Sequence, residues 1–177
     1  MKTAEEQLST YKSVHLSKKN IVTHFIGVPA IIWSLGLLLS LVSWPISIAG
    51  YDFSVTPAEI FFTGALIYYF KLHWRLAIGL LLFIAPVVAT NNLVAQSENA
   101  LWIAIGVFVV AWIVQFIGHH YEKAKPAFID DLNQLMIGPF FLMAEVYFIC
   151  GWEKQLEETI TPMAVDKRRA FEAAKKG

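Results

Sequence analysis

The sequence predicts an all-α, polytopic membrane helix bundle, and three observations carry that prediction. Residues of the AVILMFWYC set make up 56% of the chain and charged residues only 16%. That leaves too little polar side chain to cover a water-soluble globule. All 14 Lys and Arg lie outside two long stretches, 20–70 and 76–122, which hold most of the apolar residues. The loops at alternate ends of the apolar runs carry no Lys or Arg, as the positive-inside bias requires of membrane helices. The reading is a single integral membrane domain over 1–177, with an N-terminal interfacial segment (1–19), a membrane bundle (20–152) and a charged C-terminal tail (153–177).

The elements follow in order. Residues 4–19 suit a short interfacial helix, with Tyr11 and His15, four apart, on one face. Asn20 is a candidate N-cap for a first span from Ile21 to Ser43, bent at Pro29 one turn above His24. Trp44 and Tyr51 read as interfacial aromatics in a loop free of Lys and Arg. A second segment, Pro57 to Phe70, is short for a bilayer, and Lys71 to Arg75 form a tight basic turn. The third runs from Leu76 to Thr90, broken at Pro86. The fourth runs from Ala100 to Gly118 and returns to a basic loop at Lys123 and Lys125. The sequence thus predicts about four transmembrane helices. The fifth apolar segment, Ala127 to Trp152, carries Gly138-Pro139 at its middle and reads as broken or re-entrant, which returns the basic tail to the cytoplasmic face. The tail reads as an interfacial helix interrupted at Pro162.

Several function classes fall away. Net charge is zero and no basic patch is interleaved with aromatics, so no nucleic-acid partner is expected. Cys150 is the only cysteine, which excludes an intramolecular disulfide and a cysteine metal motif and leaves it a small apolar residue of a membrane helix. The polar start, MKTAEEQLST, does not read as a cleaved signal peptide. No HExxH helix, GxSxG elbow, GxxxxGK[ST] loop or GxGxxG fingerprint is present.

The five histidines carry the remaining chemistry. His15, His24, His73, His119 and His120 all sit at or beside the seams between apolar runs and basic clusters, so the topology brings them to one membrane face. An imidazole-rich site suits iron, zinc or copper, and its neutral ligands leave the ion's charge free for an anionic substrate. His73, between Leu72 and Trp74 in a turn, reads as an interfacial residue. His119 and His120 are adjacent, so a helix puts only one of them into a shared site. The candidate catalytic set is Glu122, Gln115 and Glu145. Glu122 follows the His pair and Gln115 lies one turn before His119, while Gln134 can face the same cavity from the fifth segment. Glu145, in an apolar run, is either the partner of a buried cation or an outer support for a metal-bound imidazole. Asp130 and Asp131 read as caps of the next helix.

The string Tyr11-x3-His15-x4-Asn20-x3-His24-x4-Pro29, followed by QFIGH (Gln115 to His119), Glu122, PAFID (Pro126 to Asp130), Gln134, Pro139 and Glu145, resembles the fungal 2-hydroxy fatty acid dioxygenase family and its bacterial relatives. The resemblance covers residues 8–150. It implies an Fe(2+)-dependent membrane enzyme that uses O2 to convert a 2-hydroxy fatty acid into the acid one carbon shorter and CO2, the α-oxidation reaction. By position it implies His15, His24 and His119 as metal ligands. The His119-to-Glu122 stretch is one residue shorter than the family pattern and contains His120, so His119, His120 or both complete the set. A fatty acid partner also suits the geography, with its chain in membrane lipid and its carboxylate at the cytoplasmic interface. That face belongs to the inner membrane in a bacterium and to the endoplasmic reticulum in a eukaryote. Two other readings compete: a different His-ligated lipid hydroxylase, disfavoured because five His lack the HxxxH and HxxHH clusters such enzymes resemble, and a non-catalytic lipid-binding or structural membrane protein.

Overall fold

The computed structural model describes residues 2–48, 50–122 and 131–174. Among them are α1 (Ala4–Lys12), α2 (Lys18–Ser40), a hairpin of β1 (Trp44–Ile48) and β2 (Tyr51–Val55), α3 (Pro57–Leu72), α4 (Trp74–Val94), α5 (Ala100–Glu122), α6 (Gln134–Ile149) and α7 (Lys154–Ala174). The all-α bundle expected from composition is the architecture found.

Three helices, α2, α4 and α5, are long and apolar enough to cross a membrane. Their 23, 21 and 23 residues extend ~32–35 Å at 1.5 Å per residue, past a ~30 Å hydrocarbon core. Protein buries only 33%, 28% and 22% of their most apolar windows. Val22, Ile26, Leu82, Trp102 and Val110 therefore face outward, an apolar surface that belongs against lipid. With 16 residues, α3 reaches only ~24 Å, so the four expected spans resolve into three of full length and one shorter helix. α2 and α5 pack most closely. A Cβ on Gly27 would stand 2.7 Å from Gln115 Nε2, and one on Gly118 would stand 2.6 Å from Asn20 Oδ1. Small residues at these two positions let the helices approach, as is usual in membrane bundles.

Several boundaries differ from the sequence reading. α2 begins at Lys18 behind Ser17, so Asn20 lies inside the helix instead of capping it. Its amide is fully buried and donates to Glu122 Oε2 at 3.2 Å, and a bond to a carboxylate is worth more than a cap. The expected loop at Trp44 to Tyr51 is an antiparallel hairpin with Trp44 opposite Val55 and Ile48 opposite Tyr51. It closes at Gly50, whose φ of 82° suits glycine. Helices α2, α4 and α7 run without interruption through Pro29, Pro86 and Pro162, each losing only one backbone bond. Cys150 is exposed at the C-cap of α6 and lies outside the membrane-length helices.

Within the fifth apolar segment, Gln134–Ile149 form one unbroken helix, α6, with Pro139 at its sixth position. Ile137, Phe140, Phe141 and Ala144 are all completely buried, so neighbouring protein holds the helix where one bond is missing. Both ends of α6 lie at the α3–α4 turn: the Tyr69 hydroxyl donates to Met136 O (2.7 Å), and the Tyr147 hydroxyl donates to Arg75 O (2.8 Å). α6 therefore packs across one end of the bundle and does not cross it, and α7 stays on the same side as α1. These terminal helices interlock. Lys12 pairs with Glu145 at 2.7 Å, and Lys167 donates to Glu6 O, Ser9 Oγ and Thr10 Oγ1. Leu8, Leu76, Leu80, Ile137, Phe140 and Ile160 form a tightly closed core at this end. Residues 123–130, including Lys123, Lys125 and Asp130, lie outside the described residues. Asp131 stands just before α6, where Oδ1 accepts from Asn133 N at 3.0 Å.

Candidate metal centre

Three elements that are distant in sequence deliver one imidazole each. α1 ends at Lys12, and the short turn after it carries His15 inward, with the His15 ring stacked on Tyr11 at 4.0 Å and 0°. His24 comes from the second turn of α2, and His119 from the last turn of α5. All three are buried, and a potential ligand atom from each lies within 4.8 Å of the other two. The ring centroids are 4.5, 5.0 and 5.0 Å apart, with edge-on angles of 69–84°. Imidazoles packed for apolar contact alone have no reason to aim their edges at one point.

The hydrogen bonds fix which edges are aimed. His15 Nδ1 donates to Tyr11 O at 2.7 Å, and His24 Nδ1 donates to Asn20 O at 2.9 Å. A carbonyl oxygen only accepts, so both Nδ1 atoms carry the hydrogen and both Nε2 atoms present lone pairs. Those two Nε2 atoms face each other at 3.0 Å. Burial, followed by the neighbouring His24, holds His15 well below the usual histidine range, so the ring is neutral at pH 7. Two neutral acceptors at that separation repel unless a cation stands between them. His119 Nδ1 is also buried without a hydrogen-bond partner. Backbone carbonyls orienting Nδ1–H while Nε2 points to a common centre is the usual arrangement behind metal-bound histidine. The donor set therefore fits a metal ion.

The imidazoles form part of a cavity wall. Tyr11, Gln115 and Gln134 line it beside them, and Val28, Ile32 and Trp112 form an apolar side. Gln115 is 2% exposed, and neither end of its amide has a partner. Gln134 donates Nε2 to Gln7 Oε1 at 3.2 Å but leaves Oε1 unpaired. Burial pushes the Tyr11 phenol above its ordinary range, so it stays a neutral hydroxyl. None of the described lining residues is cationic.

The other candidates stand elsewhere. His120 is exposed and outside the three-imidazole group. His73 accepts from Leu76 N at the start of α4 and lies 3.6 Å from Glu153. Glu145 is paired with Lys12, with both side chains nearly buried, the partner arrangement that the sequence offered as one option. Glu122 does not line the cavity. Its Oε2 accepts from Ser17 N (2.8 Å) and Asn20 Nδ2 (3.2 Å), and its Oε1 accepts from Arg168 at 3.4 Å. Sequence reasoning missed Arg168, because a charged tail reads as solvated. It also missed Trp112, although Trp112, Gln115 and His119 share helical spacing. His120→Ala should leave metal content unchanged within error, measured by elemental analysis of the purified protein. Loss of the metal in that variant would move the third ligand from His119 to His120.

Membrane-length helices gathered around a buried three-imidazole pocket define a helical bundle equipped for a metal ion. The chain belongs to the Mpo1-like family, described as 2-hydroxy-palmitic acid dioxygenase Mpo1-like, whose model matches residues 1–149. It is 33% identical over 156 residues to the Saccharomyces cerevisiae protein named 2-hydroxy-palmitic acid dioxygenase MPO1, covering 87% of this chain and 85% of that one. No solved structure matches it. The family expected from the motifs is the family found.

Proposed function

We propose that the chain is an iron(II)-dependent membrane dioxygenase that converts a 2-hydroxy fatty acid and O2 into the fatty acid one carbon shorter and CO2. The observation that carries this reading is the buried trio of His15, His24 and His119, two of them with Nε2 lone pairs fixed toward one point. The balance R-CHOH-COOH + O2 → R-COOH + CO2 + H2O closes without a further co-substrate. Zinc supplies no redox chemistry, and the relative named a dioxygenase points to chemistry with O2, which leaves iron or copper among the metals that imidazole suits. Bound iron(II) would supply the redox capacity that O2 requires.

The chain's own residues then divide the remaining work. Tyr11 O and Asn20 O hold the His15 and His24 rings in orientation. The Gln115 amide, buried beside His119, donates Nε2–H to the substrate carboxylate and accepts from its hydroxyl. Tyr11 offers a neutral O–H from the same lining. Glu122 is a positioning residue that ties α5 to the His15 turn, and the Glu145–Lys12 pair anchors α1 to α6. With no cation in the described lining, the carboxylate depends on the metal's charge. Lys18 and Lys19 are exposed at the histidine end, and the positive-inside bias assigns that end to the cytoplasm.

The test is direct. Detergent-purified protein loaded anaerobically with iron(II) and given 2-hydroxypalmitate should consume O2 once air is admitted and release pentadecanoate. If iron is bound and no shortened acid forms, the site is a metal centre with another role, and this reaction is excluded.

A further inference from the structure

We infer that the apolar cleft between α2, α4 and α6 is the acyl-chain site, and that Met143 sets the length of chain it accepts. The inference rests on the proposed reading that a 2-hydroxy fatty acid places its head group beside the imidazoles. The histidine cavity does not end at its polar wall. Val28, Ile32 and Pro139 line it and also line a second cleft, so the two spaces adjoin at these residues. Beyond those shared residues the cleft continues between Leu80 and Phe83 of α4 and Leu142, Met143 and Val146 of α6. None of the described residues that line it has a polar side chain. A space polar at one end only fits a molecule with one polar head and one long apolar tail. The unpartnered amide of Gln115, 2% exposed, stands at the head end.

The axis of α6 gives the cleft a scale. Leu135 and Gly138 face the histidine cavity, Pro139 faces both spaces, and Leu142, Met143 and Val146 face the cleft alone. Seven residues of helix from Pro139 to Val146 advance ~10 Å. Val146, at the far end, is 37% exposed, so the cleft reaches the outer surface of the bundle and a chain can enter from lipid. Met143 lies about one turn in, half-buried, and its flexible thioether makes it the adjustable wall. The groove between α2 and α5, lined by Ile26, Ala30, Val107 and Val110, shares no lining residue with the histidine cavity and serves as an internal control.

The test is equilibrium binding of 2-hydroxylaurate, 2-hydroxymyristate, 2-hydroxypalmitate and 2-hydroxystearate to the full chain in detergent under anaerobic conditions, where no turnover occurs. Met143→Trp should weaken 2-hydroxypalmitate about tenfold and 2-hydroxystearate by more than that, while leaving 2-hydroxylaurate nearly unchanged, since each excluded methylene costs roughly a fourfold loss in affinity. Met143→Ala should move the optimum toward 2-hydroxystearate, and Val110→Trp should leave the profile alone. Retained 2-hydroxylaurate binding shows that Met143→Trp is folded. Should that variant lose all four acids equally, the Met143→Ala profile decides, and an unmoved optimum there overturns the inference. Identical length profiles for Met143→Trp and Val110→Trp would also overturn it, leaving the cleft a lipid groove. If the unaltered protein binds none of the four acids, the proposed reading itself fails.

Discussion

His24→Ala should reduce the metal content of the purified protein from near-stoichiometric to background, and should abolish the dioxygenase reaction with it. The size of the effect follows from the geometry. His24 supplies one of three imidazoles and is the one whose Nε2 faces His15 Nε2 at 3.0 Å. Removing a residue that merely orients a ligand costs about 10–100-fold in metal affinity, and removing a ligand from a three-imidazole set costs more. The fold should survive, because alanine suits the helix and the deletion also removes the repulsion between two lone pairs. Thermal unfolding separates these effects. An ion at a thousandfold excess over its Kd stabilises the protein by about 4 kcal/mol, so chelator should lower the Tm of the unaltered protein. The Tm of His24→Ala should be insensitive to chelator. A variant that keeps its metal and its chelator response would show that the three histidines do not form the site.

The bundle was legible because its physics is coarse. The segregation of Lys and Arg, with long uncharged runs between, needs no tertiary information to read. The hairpin was legible in principle, since Trp44, Ile46 and Ile48 take alternate positions before Gly50, with Pro45 and Ser47 between them, and Tyr51, Phe53 and Val55 alternate with Asp52 and Ser54 after it. A loop reading rests on the missing charges and on Trp44 and Tyr51 as interfacial aromatics, and neither feature distinguishes a loop from a hairpin. Prolines misled in the opposite direction. Pro139 suggested a break, yet the decisive quantity is how well neighbouring protein holds the helix, and Phe140 and Phe141 at 0% exposure belong to tertiary packing. Within the site, helical spacing places Gln115 one turn from His119. It cannot say that His15 turns inward after α1 ends, because that depends on the Tyr11 stack and the Tyr11 carbonyl. Choosing between His119 and His120 requires the phase of α5 against α2, which the close approach at Gly27 and Gly118 sets.

The tail holds the second large effect, at a residue its sequence marks as ordinary surface charge. Arg168→Ala should destabilise the protein by about 3–5 kcal/mol, the usual cost of removing one partner from a buried ion pair. The Glu122 side chain is 4% exposed and Arg168 16%, so solvent screens the pair little. Arg168 donates to Glu122 Oε1 and O at 3.4 and 3.2 Å and to Ser13 O at 3.5 Å, while Glu122 Oε2 holds Ser17 N. Ser13 and Ser17 bracket His15. The variant should therefore also lose about 10–100-fold in metal affinity, as when an orienting partner is removed from a ligand. Two further variants separate charge from shape. In Arg168→Ala combined with Glu122→Gln, the buried carboxylate left without its cation is gone, so part of the stability should return. Arg168→Lys restores the charge but lacks the planar fork that reaches Glu122 and Ser13 together. It should regain stability in thermal unfolding while metal affinity, measured by competition with a chelator, stays low. Equal recovery of both quantities would mean that α7 contributes charge alone and does not position His15.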